Sequence, residues 1–112
     1  MASTFRNLLA SGIGTVHSSP ILTTGNAVKT TVIGLSLTNM TTDIVLASVQ
    51  IVDTGANTSA YYLKDVLIPP NQSLRVINGG EKLILGSNVD VYVFSNTASA
   101  LDLVMSFVEI TG

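Results

Sequence analysis

From Val28 to Ile110 apolar residues recur at every second position, and turn residues cut that repeat at short intervals. A helix would need a period of 3.6, so this spacing predicts strands. Ile33, Leu35 and Leu37 alternate with Val32, Gly34 and Ser36, which places the first three on one expected face. Asn39 to Asp43 ends that run. Val45, Ala47, Val49 and Ile51 then form one face of a second strand, and Asp53 to Ser59 is a polar loop. Ala60 to Ile68 reads as a third strand. It stops at Pro69-Pro70, because proline cannot donate to a sheet ladder. Ser73 to Ile77 and Lys82 to Leu85 are short strands, and the Asn78-Gly79-Gly80 between them reads as a hairpin turn. Val89 to Phe94 follows, then a turn over Asn96 to Ser99. Leu101 to Ile110 closes the chain, with Leu101, Leu103, Met105 and Phe107 on one face and Val104, Val108 and Ile110 on the other. Upstream, Gly14 to Ser18 and Ile21 to Thr23 add one or two strands. Short strands at this spacing predict an all-β fold, an antiparallel, jelly-roll-like β-sandwich.

A chain of 112 residues fits one domain. Residues 15–112 are expected to form the sandwich and residues 1–14 an N-terminal arm. The arm segment is ambiguous in conformation: Phe5, Leu8 and Leu9 suit one helical turn, or an extended strap on this subunit or a neighbour. The expectation taken here is that Phe5, Leu8 and Leu9 form an interface with another chain. Several strands are apolar on both faces, yet a two-layer sandwich covers only one face of each sheet. The second face needs a cover, which points to a homo-oligomer, with a trimer favoured.

Charge is scarce. Asp, Glu, Lys and Arg make up 11% of the chain, against about 25% in ordinary domains. Five scattered cations, Arg6, Lys29, Lys64, Arg75 and Lys82, do not build a phosphate-gripping patch, so nucleic acid is not an expected partner. No segment reaches the roughly 20 apolar residues of a membrane helix, so no membrane partner is expected either. The start, MASTFRNLLASGIG, holds one Arg and an apolar run too short for a secretory leader.

Reactive groups are few. There is no cysteine, and His17 is the single histidine, so the usual zinc sites cannot form. Ser and Thr are plentiful, but no G-x-S-x-G elbow occurs. Gly25 to Thr31, GNAVKTT, has the Lys-Thr of a phosphate loop at Lys29-Thr30. The glycines that loop requires are replaced by Val28 and Thr23. Asp90 and Asp102 could face each other across neighbouring strands, as paired glycosidase carboxylates do. Asp53-x-Gly-x-Asn57 offers loop oxygens for calcium, but without the full ligand set. Sequons at Asn39, Asn57 and Asn71 are no more than this composition gives by chance. Sugar platforms favour exposed Trp or Tyr. Trp is absent, and the adjacent Tyr61 and Tyr62 must point to opposite faces. No catalytic residue, cofactor or metal site is expected.

Four stretches carry a further signal: VIGLSLTN; IVLASVQIVDT; AYYLKDVLIPPNQSLRVINGGEKLILGSNVDVYV; and SALDLVMSFVEI. Together they cover roughly residues 28–111. The pattern runs from Tyr62-Leu63 through Pro69 to Leu74, from Lys82 to the Gly86 turn, and from Leu101-Asp102 to Glu109-Ile110. It resembles small virion structural proteins of tailed bacteriophages. Where many relatives carry Gly-Asp after the hairpin that starts at Lys82, this chain has Ser87-Asn88, a departure that touches no catalytic group. The resemblance implies a non-enzymatic β-sandwich that assembles on the particle in the host cytoplasm. The first expectation is a capsid decoration, or cement, protein bound to the major capsid protein. The alternatives are a neck, tail or fibre component, or a module that binds host glycans.

Overall fold

The structure, a computed structural model, describes residues 2–16, 20–77 and 82–111. They form β1 (Ala2–Ile13), β2 (Leu22–Thr23), β3 (Val28–Asn39), β4 (Val45–Asp53), β5 (Thr58–Ile68), β6 (Ser73–Ile77), β7 (Leu83–Leu85), β8 (Val89–Ser95) and β9 (Leu101–Thr111). One sheet has the order β1-β9-β3-β6, with β7 also on β3, and the other has the order β2-β8-β4-β5. All pairings are antiparallel.

The two strands expected to flank a hairpin at Asn78-Gly79-Gly80 do not pair with each other. Those residues lie outside the described ones, but the flanking strands settle the direction. Ser73 to Ile77 pair with Thr38 to Leu35, and Leu83 to Leu85 pair with Val32 to Thr30. β6 and β7 therefore run the same way, end to end along one flank of β3. They amount to a single interrupted strand, which completes two four-stranded layers in the jelly-roll order.

Side-chain alternation fills the space between the layers. Leu101, Leu103, Met105 and Phe107 of β9 face inward, as their spacing predicts, against Val45, Ala47 and Val49 of β4 and Val89, Val91 and Val93 of β8. β3 departs from its expected phase. Thr30 and Val32 are buried, but so are Leu35, Leu37 and Asn39, while Ile33 is exposed. The register against β9 shifts between Val32 and Gly34. One extra residue there swaps the faces, which puts Ile33 outside instead of beside Leu35. Upstream, Gly14 to Val16 form no strand, contrary to expectation, and Leu22–Thr23 is all of the second upstream strand. Gly14 instead passes tightly under the β8–β9 connection: a Cβ there would stand 3.0 Å from the Ser99 nitrogen.

Two buried polar side chains tie the ends of the layers together. At one end the Asn39 amide donates to the carbonyls of Asp43 (2.8 Å), Ile68 (3.0 Å) and Pro69 (3.2 Å). Its oxygen accepts from the Thr41 amide (2.9 Å) and hydroxyl (2.8 Å). β3 belongs to one layer and Ile68 to the other, so one side chain closes the corner between them. At the opposite end Thr24 donates to the Gly86 carbonyl at 2.7 Å and accepts from the Val89 amide at 2.8 Å. Buried polar groups are costly unless paired, and among the described residues no buried side-chain nitrogen or oxygen lacks a partner.

Candidate interaction surface

The N-terminal segment is extended. Ala2 to Ala10 pair with Thr111 to Leu103 without a break, and the register shifts only before Ile13, where Gly12 takes φ +66°. Antiparallel partners share a face. Leu9 therefore lies beside Val104, and Phe5 beside Val108, on the outer side of the sheet. Phe5 is 78% exposed and Leu9 72%. Leu8 pairs with Met105 on the other side and packs, half-buried, against the core with Ala10 and Ile13. The three apolar residues singled out in this segment thus divide, two outward and one inward. Arg6, also on the inner side, forms an ion pair with Glu109.

The outer apolar surface continues across the sheet. Val104 pairs onward with Ser36, Val108 with Thr31, and Thr31 with Ile84 of β7. Ile84 is 72% exposed, and the bulged Ile33 lies on the same surface. A shallow depression between Ile33, Gly34, Arg75, Ile77 and Val104 occupies its middle. The apolar character of Val104 and Val108 was legible from their alternation. Ile33 and Ile84 were missed. The β3 bulge has no sequence signal beyond Gly34, and a strand as short as Leu83–Leu85 has no period to read.

The residues weighed for chemistry do not converge. Asp90 is on β8 and Asp102 on β9, and these strands lie in different sheets, not side by side. The turn between them crosses from one layer to the other, so the two carboxylates do not face each other across neighbouring strands. Asp102 accepts a weak bond from the Gly12 amide, at 3.4 Å. Asp53 accepts from the Ala56 amide at 3.1 Å, so its carboxylate braces its own turn. No group of three or more potential metal ligands occurs among the described residues. Thr30 is buried inside β3 and Lys29 is exposed next to it, on a strand and not a phosphate loop. His17 and Glu81 lie outside the described residues. Tyr61 and Tyr62 do take opposite faces. Tyr61 is exposed, edge-on to Phe94 at 6.2 Å, with the Lys64 ammonium 4.7 Å above its ring. Tyr62 packs on the core. Asn39 is wholly buried, so that sequon is closed to any sugar. No described helix is long and apolar enough to cross a membrane.

No protein-family model matches the sequence, and no curated protein does. Solved structures do share its shape. A protein from the study "Bacillus endospore appendages form a novel family of disulfide-linked pili" superposes with a TM-score of 0.57 at 9% identity, over 97% of this chain and 88% of that one. A pentameric capsid protein from metagenomic phage sequences gives a TM-score of 0.44 at 16% identity, over 91% of this chain. This chain spans 60% of that protein. At 9% identity the likeness to the appendage protein is one of fold.

Proposed function

We propose that the chain is a non-enzymatic structural protein of a phage virion, a capsid decoration protein that cements the head by bridging subunits of the major capsid protein. The observation that carries this reading is the outer face of the β1-β9-β3 sheet. Phe5, Leu9, Val104, Ile33 and Ile84 are exposed there on one rigid layer. Exposed apolar surface of this kind on a small domain marks an interaction site. The segment of residues 1–14 is then the attachment segment, with Phe5 and Leu9 as its outward anchors and Leu8 holding it to the core. The resemblance of residues 28–111 to virion structural proteins supports the same reading. The subunit would act as a homo-oligomer, a trimer in keeping with the three-fold positions of an icosahedral shell.

One observation favours a second reading, as a neck, tail or fibre component. The jelly roll is shared with a protein of spore-appendage pili. Those pili are described as disulfide-linked, and this chain has no cysteine. Any fibre it formed would therefore lack the disulfide links of those pili.

Add-back to particles separates these readings. Particles made without the chain are expected to release their DNA at a lower temperature than complete ones, and purified protein should restore them. The Phe5→Ser, Leu9→Ser double variant should fold normally, because both side chains are exposed, but restore nothing. Equal heat resistance with and without the chain would refute a cement role. Loss of host attachment instead would favour the tail reading.

A further inference from the structure

We infer that β1 is a self-pairing edge: two copies of the chain join through it, antiparallel, about a two-fold axis at Asn7. Among the described residues β1 pairs with β9 on one side only, so its other side presents backbone groups with no strand against them there. Long, flat apolar edges of this kind recruit further strands unless they are blunted. The other sheet edges are blunted. β2 has two residues. β6 and β7 are interrupted between Ile77 and Leu83. β5 is kinked where Asp65 takes φ 50° and its amide bonds the Ser48 hydroxyl at 3.0 Å, with register shifts against β4 at that point, and Pro69 ends it. From Ala2 to Ala10, β1 has no bulge, no proline and one charge, Arg6.

Self-complementarity selects a second copy as the occupant. With the axis at Asn7, Phe5 stands opposite the partner's Leu9 on the outer face. Asn7 meets its own counterpart, Thr4 meets the partner's Ala10, and Arg6 meets the partner's Leu8. Large apolar groups face each other outside, and no like charges do. Moving the axis one residue, to Arg6, would set two guanidinium groups face to face, which is destabilising. Seven paired residues extend about 24 Å and bury on the order of 1,000 Å² in all, near the lower bound for a specific interface. The dimer is accordingly weak, forming in the micromolar range and strengthened where copies are concentrated on a surface. The pairing unites the Phe5, Leu9 and Val104 patches of both copies into one platform. It is a two-fold contact, which can link neighbouring trimers, and it holds whether or not the chain belongs to a capsid.

Analytical ultracentrifugation of the isolated protein tests it. The unmodified chain should show a concentration-dependent dimer. Asn7→Lys and Asn7→Asp each place like charges opposite one another and should weaken the dimer about tenfold. An equimolar mixture of the two should recover it, because opposite charges then meet at the axis. Hydrogen exchange on the unmodified chain gives a second readout that does not depend on the variants folding. Amides of Thr4 to Ala10 on the free edge should gain protection as concentration rises. A monomer at all concentrations, an oligomer indifferent to the charge at position 7, or β1 exchange independent of concentration would each overturn the proposal.

Discussion

Replacing Asn39 with alanine should be among the most damaging single changes in the chain, at about 3 kcal/mol. The Asn39 amide serves three carbonyls, and its oxygen serves the Thr41 amide and hydroxyl. Each buried polar group left without a partner costs about 1–3 kcal/mol, and some of these would regain water as the corner loosens. For a domain this size the loss corresponds to a fall in Tm of roughly 12 °C. Asn39→Asp sharpens the test. It keeps the acceptor but replaces the donor with an oxygen aimed at three carbonyl oxygens. Burial and those carbonyls disfavour the charged form, so the folded-state pKa of the new carboxyl would be raised. Its destabilisation should therefore be greatest above that pKa and ease as pH falls through it, where the protonated group can donate again. Thermal melts of both variants across pH check this. A change of under 1 kcal/mol for Asn39→Ala would mean that the corner is held by packing alone.

Removing residues 1–13 is expected to destabilise the whole sandwich. Leu8 and Ile13 are half-buried on the core, and their loss should cost about 1 to 2 kcal/mol each. The ladder from Ala2 to Ile13 is lost with them, and β9 becomes a new apolar edge prone to aggregation. A combined loss of about 4 kcal/mol is a large share of the roughly 5–15 kcal/mol that holds a domain together. The Phe5→Ser, Leu9→Ser variant should melt within about 0.5 kcal/mol of the unmodified chain, as exposed substitutions do. The same segment thus has an inner face that packs on the core and an exposed outer face that the proposed function assigns to binding. Differential scanning calorimetry of the two forms separates them. Equal stability of the shortened chain would mean that β1 is dispensable to the fold.

The sandwich was legible in the sequence because each long strand carries its own alternation. β9 shows this best: Leu101, Leu103, Met105 and Phe107 name its buried face, and all four are buried. Pairing between distant strands was not legible. Asn7 and Ser106 are 99 residues apart in sequence and hydrogen-bond across β1 and β9, and no local pattern announces such a contact. The false hairpin has a related cause. Asn-Gly-Gly is a strong local turn signal, but β3 is long enough to pair with both flanking strands end to end, and that pairing decided the direction. Asn39 was read as part of a loop, since Asn marks turns far more often than cores. Only its position at the layer corner reveals its five bonds. The outward setting of Phe5 and Leu9 follows from the register on β9, so it too needed the fold.

Quantitative mass spectrometry of density-purified particles bears most directly on the virion role. Hundreds of copies per particle are expected, in fixed ratio to the major capsid protein. Absence of the chain from particles, while it is abundant in the same lysate, would contradict a structural role in the virion.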